Sequence, residues 1–128
     1  MRILLDTHTL LWAAKGVLVS RTQSMLEDTA NELYFSSVNL WEIELKRSKL
    51  NFDPKALYQN LVISGYRELG VSSRHVLSLE QLPLIHDDPF DRMLIAQALS
   101  EQLFLLTADD TVKQYSDHTG CILGFNQN

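Results

Sequence analysis

Apolar residues in this chain fall into short continuous runs separated by mixed, amphipathic stretches, and the runs read as buried strands. The first, Arg2 to Leu5, stops at Asp6. Thr9 to Lys15 reads as a short helix, and Ser20 stands where an N-cap opens a second helix running to about Asn31. Leu33 to Ser36 is the next strand, followed from Ser37 to about Leu50 by a segment of good helix formers. Asp53-Pro54 supplies a cap and a first-turn proline for a helix ending near Ser64-Gly65. Arg67 to Val71 is a short strand and Ser73 to about Leu79 a helix. The clearest element starts at Asp88-Pro89 and carries Phe90, Leu94 and Ala98 to about Glu101, after which Leu103 to Thr107 is a continuous apolar strand. Asp109 or Asp110 caps a short helix through Tyr115, and Cys121 to Phe125 is the last strand. Strands alternating with helices predict an α/β fold, a three-layer α/β/α sandwich around a parallel sheet of four to five strands, in one domain covering residues 1–128.

Composition narrows this picture. With 128 residues, 45% apolar and 21% charged, the chain has ordinary globular composition and can bury a core without staples. Its one cysteine, Cys121, cannot form an intramolecular disulfide, and it lies in the apolar stretch Cys121-Ile122-Leu123, which fits a reducing cytoplasm. The opening run Ile3-Leu4-Leu5 is too short for a signal-peptide core, and no run approaches membrane-spanning length, so a soluble cytoplasmic protein is expected. The net charge of −5 argues at first against a nucleic-acid binder. Acids gathered in one site would bias the total, however, and bound divalent cations would reverse the local sign. The cluster Lys46, Arg47 and Lys49 is a basic segment that a solvated helix face explains equally well.

In open α/β sheets, sites form beyond the carboxyl ends of the strands. Asp6 ends the first strand, Asp109 lies two residues past Thr107, and Glu42 is on the helix that follows Phe35-Ser36. Asp91 stands in register with Leu94, Ile95 and Ala98 at i+3, i+4 and i+7, so its carboxylate points toward the protein. It is either the partner of a metal ion or a capping acid three residues after Asp88. Asp6 is likewise a strand-end site acid or a turn former, and Asp109 a site acid or an N-cap. Spacing alone makes Glu42 half of an exposed i,i+4 pair with Lys46. Taken together, four carboxylates at a strand edge need compensation, since two of them about 4 Å apart repel by roughly 4 kcal/mol at an effective dielectric near 20. All-oxygen ligands select Mg²⁺ or Mn²⁺, and the chain has no Cys or His pair at zinc spacing. Such sites commonly cleave phosphodiesters, activating water and stabilising the leaving oxygen.

The residues resemble those of the PIN-domain ribonucleases, and in particular the VapC-like toxins of bacterial toxin–antitoxin pairs. The resemblance runs through Leu4-Leu5-Asp6-Thr7-His8, then Ser36-Ser37-Val38-Asn39-Leu40-Trp41-Glu42-Ile43, then His86-Asp87-Asp88-Pro89-Phe90-Asp91-Arg92 with Leu94-Ile95-Ala96-Gln97-Ala98, and Leu105-Leu106-Thr107-Ala108-Asp109. It implies Asp6, Glu42, Asp91 and Asp109 as catalytic, metal-holding acids, with Thr107 and Ser37 supporting them. It also implies hydrolysis of RNA with one or two Mg²⁺ or Mn²⁺ ions, a homodimer, and a cognate antitoxin that covers or fills the site.

Arg92 and Lys46 are candidates to touch RNA phosphates or antitoxin acids, with a plain surface role as the alternative. His8 and His86 lie beside motif acids in a hydrogen-bonding role, and Asp87, Asp88 and Asp110 are extra acids that solvation or capping accounts for. Trp12 and Trp41 sit in apolar helical stretches and are expected in the core. Three other functions compete. A phosphatase using Asp6 as covalent nucleophile wants an acid two residues on, where this chain has His8. A phospho-acceptor receiver wants an acidic pair by its first strand and a lysine after its last, and neither is present. A catalytically inactive PIN-fold binding module is compatible with the same motifs.

Overall fold

The computed structural model describes residues 1–128. Five short strands form one parallel sheet: β1 (Arg2–Leu5), β2 (Glu32–Ser36), β3 (Arg67–Leu69), β4 (Phe104–Thr107) and β5 (Ile122–Gly124), in the order β3-β2-β1-β4-β5. The helices between them are α1 (Thr7–Lys15), α2 (Ser20–Glu27), α3 (Ser37–Leu45), α4 (Arg47–Leu50), α5 (Pro54–Ile63), α6 (Ser73–Ser78), α7 (Pro89–Glu101), α8 (Asp110–Lys113) and α9 (Ser116–Thr119). A parallel sheet must be covered on both faces, and alternation along the strands shows how. Leu4, Tyr34 and Leu105 belong to one apolar cluster with Phe90, Leu94 and Ala98 of α7 and the fully buried Tyr115. Ile3, Leu5, Phe35 and Leu106 belong to a second, with Leu10 and Leu11 of α1, Ile43 of α3, and Leu57 and Leu61 of α5. The result is the three-layer sandwich expected from the sequence.

Several boundaries differ, each for a local reason. The helix expected to run from Ser20 to Asn31 ends at Glu27, where Asp28 takes extended backbone and its carboxylate accepts the Ala30 N–H in a turn. The stretch expected as one helix from Ser37 to Leu50 breaks at Lys46, which leaves helical geometry at φ −104° and ψ 24°, and restarts as α4. Trp41 is corrected outright: it is 63% exposed, because Val38, Asn39, Glu42 and Ile43 occupy the inward face of α3. Its ring packs edge-on against Phe90 with centroids 4.9 Å apart. No helix is long and apolar enough to cross a membrane.

Candidate active site

Register places the site. Leu5 pairs with Leu106, so the residues that follow, Asp6 and Thr107, leave the sheet side by side. The Asp6 N–H donates to the Leu106 carbonyl at 3.2 Å, and the Thr107 hydroxyl donates to Asp6 Oδ2 at 2.5 Å. Asp6 is also the N-cap of α1, its Oδ1 accepting from the Thr9 N–H at 3.0 Å and the Thr9 hydroxyl at 2.6 Å. Burial pushes this carboxyl above the usual range, against the pull of the Thr107 and Thr9 hydrogen bonds.

Thr107 has a second task, since its oxygen accepts the Asp109 N–H at 3.0 Å and so fixes the turn after β4. Asp109 caps α8 through Oδ1, which receives the Thr111 and Val112 N–H groups at 2.8 and 3.0 Å. At the start of α3 the hydroxyl that works is Ser36, which caps Val38 in a box completed by Asn39. Ser37, expected to support the acids, does not line the cleft. Asn39 instead crosses to the start of α1, donating to the Thr7 hydroxyl at 3.0 Å.

The Asn39 face of α3 carries Glu42 inward one turn later, where it is 4% exposed. Its Oε2 accepts from Lys46 Nζ at 2.7 Å, so the i,i+4 pair exists but joins a buried acid to a rim cation. Its Oε1 is the only buried side-chain nitrogen or oxygen in the chain without a hydrogen-bond partner. Asp91, in the first turn of α7, meets His86 Nε2 through Oδ2 at 2.9 Å. Burial pushes the Asp91 carboxyl up to about 7; the His86 contact opposes that rise, and the charges of Asp88, Asp6 and Glu42 add to it.

Asp6, Glu42, Asp91 and Asp109 line one open cleft, together with His8, Trp12, Lys46, His86 and Asp88. Ligand atoms of His86, Asp91 and Asp109 all lie within 4.8 Å of one another. Arg92 is not among the residues lining the cleft: its guanidinium donates to the Pro83 carbonyl at 3.1 Å and the Tyr115 hydroxyl at 3.0 Å, where it braces the loop before α7. Trp12 is half-buried at the cleft wall, its ring edge-on to Phe125. Sequence reasoning passed over Thr9, Asn39 and Gln97. The Ser36-x-x-Asn39 spacing of a capping box was a signal for the second of these; nothing marked Gln97 as a fully buried amide.

The donor set fits a hard divalent cation. Five carboxylates and two imidazoles line a common space, two of the carboxyls are held above their usual range by burial, and one buried carboxylate oxygen has nothing to bind. A buried unpaired oxygen costs about 1–3 kcal/mol, which an ion at that position offsets.

A family model described as PIN domain matches residues 3–117. No curated protein sequence matches the chain. Among solved structures, the chain is similar to VapBC2 from Rickettsia felis, crystallised with a DNA fragment from their promoter, at TM-score 0.72 and 18% identity over 100% of both chains. It is similar to FitAcB from Neisseria gonorrhoeae at TM-score 0.69 and 18% identity, over 98% of this chain and 97% of that one. DNA-bound VapBC from Salmonella typhimurium matches at TM-score 0.64 and 18% identity, over 100% and 99%. At these identities the likeness is one of fold.

Proposed function

The chain belongs to the PIN domain family, whose members are generally nucleases using divalent metals, and from this premise we propose that it hydrolyses RNA phosphodiester bonds. Mg²⁺ or Mn²⁺ is held by Asp6, Glu42, Asp91 and Asp109, and the protein is the toxin of a toxin–antitoxin pair, working as a homodimer that a cognate antitoxin silences. The observation that carries the reading is Glu42 Oε1, a buried acid oxygen without a partner in a cleft shared with the other three carboxylates. The likeness in fold to chains from VapBC and FitAcB complexes supports the antitoxin.

A divalent cation in this cleft supplies activation of water at neutral pH and charge stabilisation at the leaving oxygen. The protein's own groups prepare the place. Thr107 holds Asp6 by one hydrogen bond and the Asp109 turn by another, so two of the acids are fixed relative to each other before anything binds. Lys46, paired with Glu42 and 4.0 Å from Asp88 Oδ2, is the cation at the rim, placed to meet an incoming phosphate. Hydrogen bonds hold Asp6 and Asp109 in place, and placement is what a positioning mechanism requires.

Protein freed of any antitoxin is expected to cut RNA when Mg²⁺ or Mn²⁺ is supplied and to stop when it is chelated. Asp6→Asn and Asp91→Asn are each expected to abolish cutting while circular dichroism stays native. Cleavage retained in either variant would sink the site assignment. Metal binding by the wild type without cleavage of any RNA would instead favour an inactive binding module.

A further inference from the structure

Resting on the metal-site reading above, we infer that His86 is a metal ligand beside Asp91 and Asp109, and that its nitrogen makes the site prefer Mn²⁺ to Mg²⁺. His86 Nε2 and Asp91 Oδ2 are 2.9 Å apart. Two ligands of one ion at about 2.1 Å and at right angles stand about 3.0 Å from each other, so this spacing serves a shared cation as well as a shared proton. Coordination through Nε2 would need the ring's proton on Nδ1, and Nδ1 makes no hydrogen bond within the protein that would prevent it. Asp109 brings a third ligand atom within 4.8 Å of both, and Glu42 Oε1 offers the buried, unpartnered oxygen in the same cleft.

The position of His86 is built. It lies in the loop ahead of α7, where a side chain would otherwise be free to swing into solvent. Its own N–H and that of Ile85 donate to the Tyr115 hydroxyl at 3.0 and 3.2 Å, and that hydroxyl donates to the Pro83 carbonyl at 2.8 Å. Arg92 ties the same carbonyl and hydroxyl together from α7. Tyr115 is fully buried, so the loop is pinned from inside the core and the imidazole is presented to Asp91.

The consequence for metal choice is chemical. Mg²⁺ dehydrates reluctantly and takes oxygen, whereas imidazole suits transition ions. A mainly oxygen set with one nitrogen therefore discriminates in favour of Mn²⁺.

The test is metal binding, with no RNA present. Mn²⁺ and Mg²⁺ are titrated calorimetrically into the wild type, His86→Ala and His86→Asn, and the Mn²⁺ complexes are examined by pulsed electron spin resonance for nitrogen coupling. The wild type is expected to show nitrogen coupling that both variants lose. Mn²⁺ affinity should fall on the order of tenfold in the variants, with a much smaller change for Mg²⁺. Mn²⁺ bound to the wild type without nitrogen coupling overturns the inference and leaves the metal site standing, with His86 a hydrogen-bond partner of Asp91 only. So does an equal loss of both metals in the variants. Failure of the wild type to bind either ion removes the metal-site reading itself. Should a variant not fold, the wild-type spectrum decides alone.

Discussion

Burial holds the Asp91 carboxyl far above its ordinary range. An unfolded chain ionises it near its ordinary 3.8, while the native protein keeps its proton up to about 7. Between those values the native state binds the extra proton, so the carboxyl's contribution to stability is full at low pH and is lost as pH rises through about 7. Asp6, also raised by burial, acts in the same direction. In chelator, the unfolding free energy of the wild type is expected to decline from about pH 4 to 7 relative to Asp91→Asn, and saturating Mn²⁺ to remove that decline. Parallel stability profiles for the two proteins would show that the carboxyl ionises normally. The cleft acids also show what spacing tells and what it omits. Asp6 and Asp109 each left a choice between capping and function, and in the structure each caps a helix and lines the cleft, because a carboxylate has two oxygens to give. Glu42 is paired with Lys46 as the spacing implied, yet buried; an i,i+4 interval carries no information on depth.

The elements that hold these residues follow apolar periodicity less closely than the strands do. α3 turns Asn39 and Glu42 inward and leaves Trp41 and Leu45 outside, an arrangement no count of apolar positions anticipates, because hydrogen bonding rather than apolar area decides its inner face. α7 was legible from its Asp88-Pro89 start and its apolar stripe, and the structure runs it from Pro89 to Glu101 with Asp88 as cap. Hidden within it is Gln97, fully buried, whose Oε1 accepts from the Ser36 hydroxyl at 2.6 Å and whose amide donates to the Gly70 carbonyl at 3.3 Å. It tethers α7 to the end of β2 and the beginning of α3. Gln97→Leu leaves the buried Ser36 hydroxyl without its acceptor, and a loss of roughly 1–3 kcal/mol is expected in urea unfolding. A loss no larger than that of an exposed substitution would show that Ser36 finds another acceptor.

Across the whole molecule, the apolar runs announced a parallel sheet, but not that β1 lies at its centre between β2 and β4, since neighbours in a sheet are chosen by packing between distant segments. The loop before α7 depends on the same kind of distant contact, through Tyr115. Tyr115→Phe removes the shared partner of Ile85, His86 and Arg92. It is expected to cost roughly 1–3 kcal/mol and to speed amide exchange at Ile85 and His86 while the β1 and β4 amides stay protected. Uniform exchange changes across the sheet would contradict this local role. The bond between Thr107 and Asp6 spans 101 positions of sequence. At a synthesis rate of about 5–20 residues per second, Asp6 leaves the ribosome roughly 5 to 20 seconds before the threonine that holds it. No growing chain therefore owns a finished cleft until β4 has docked against β1.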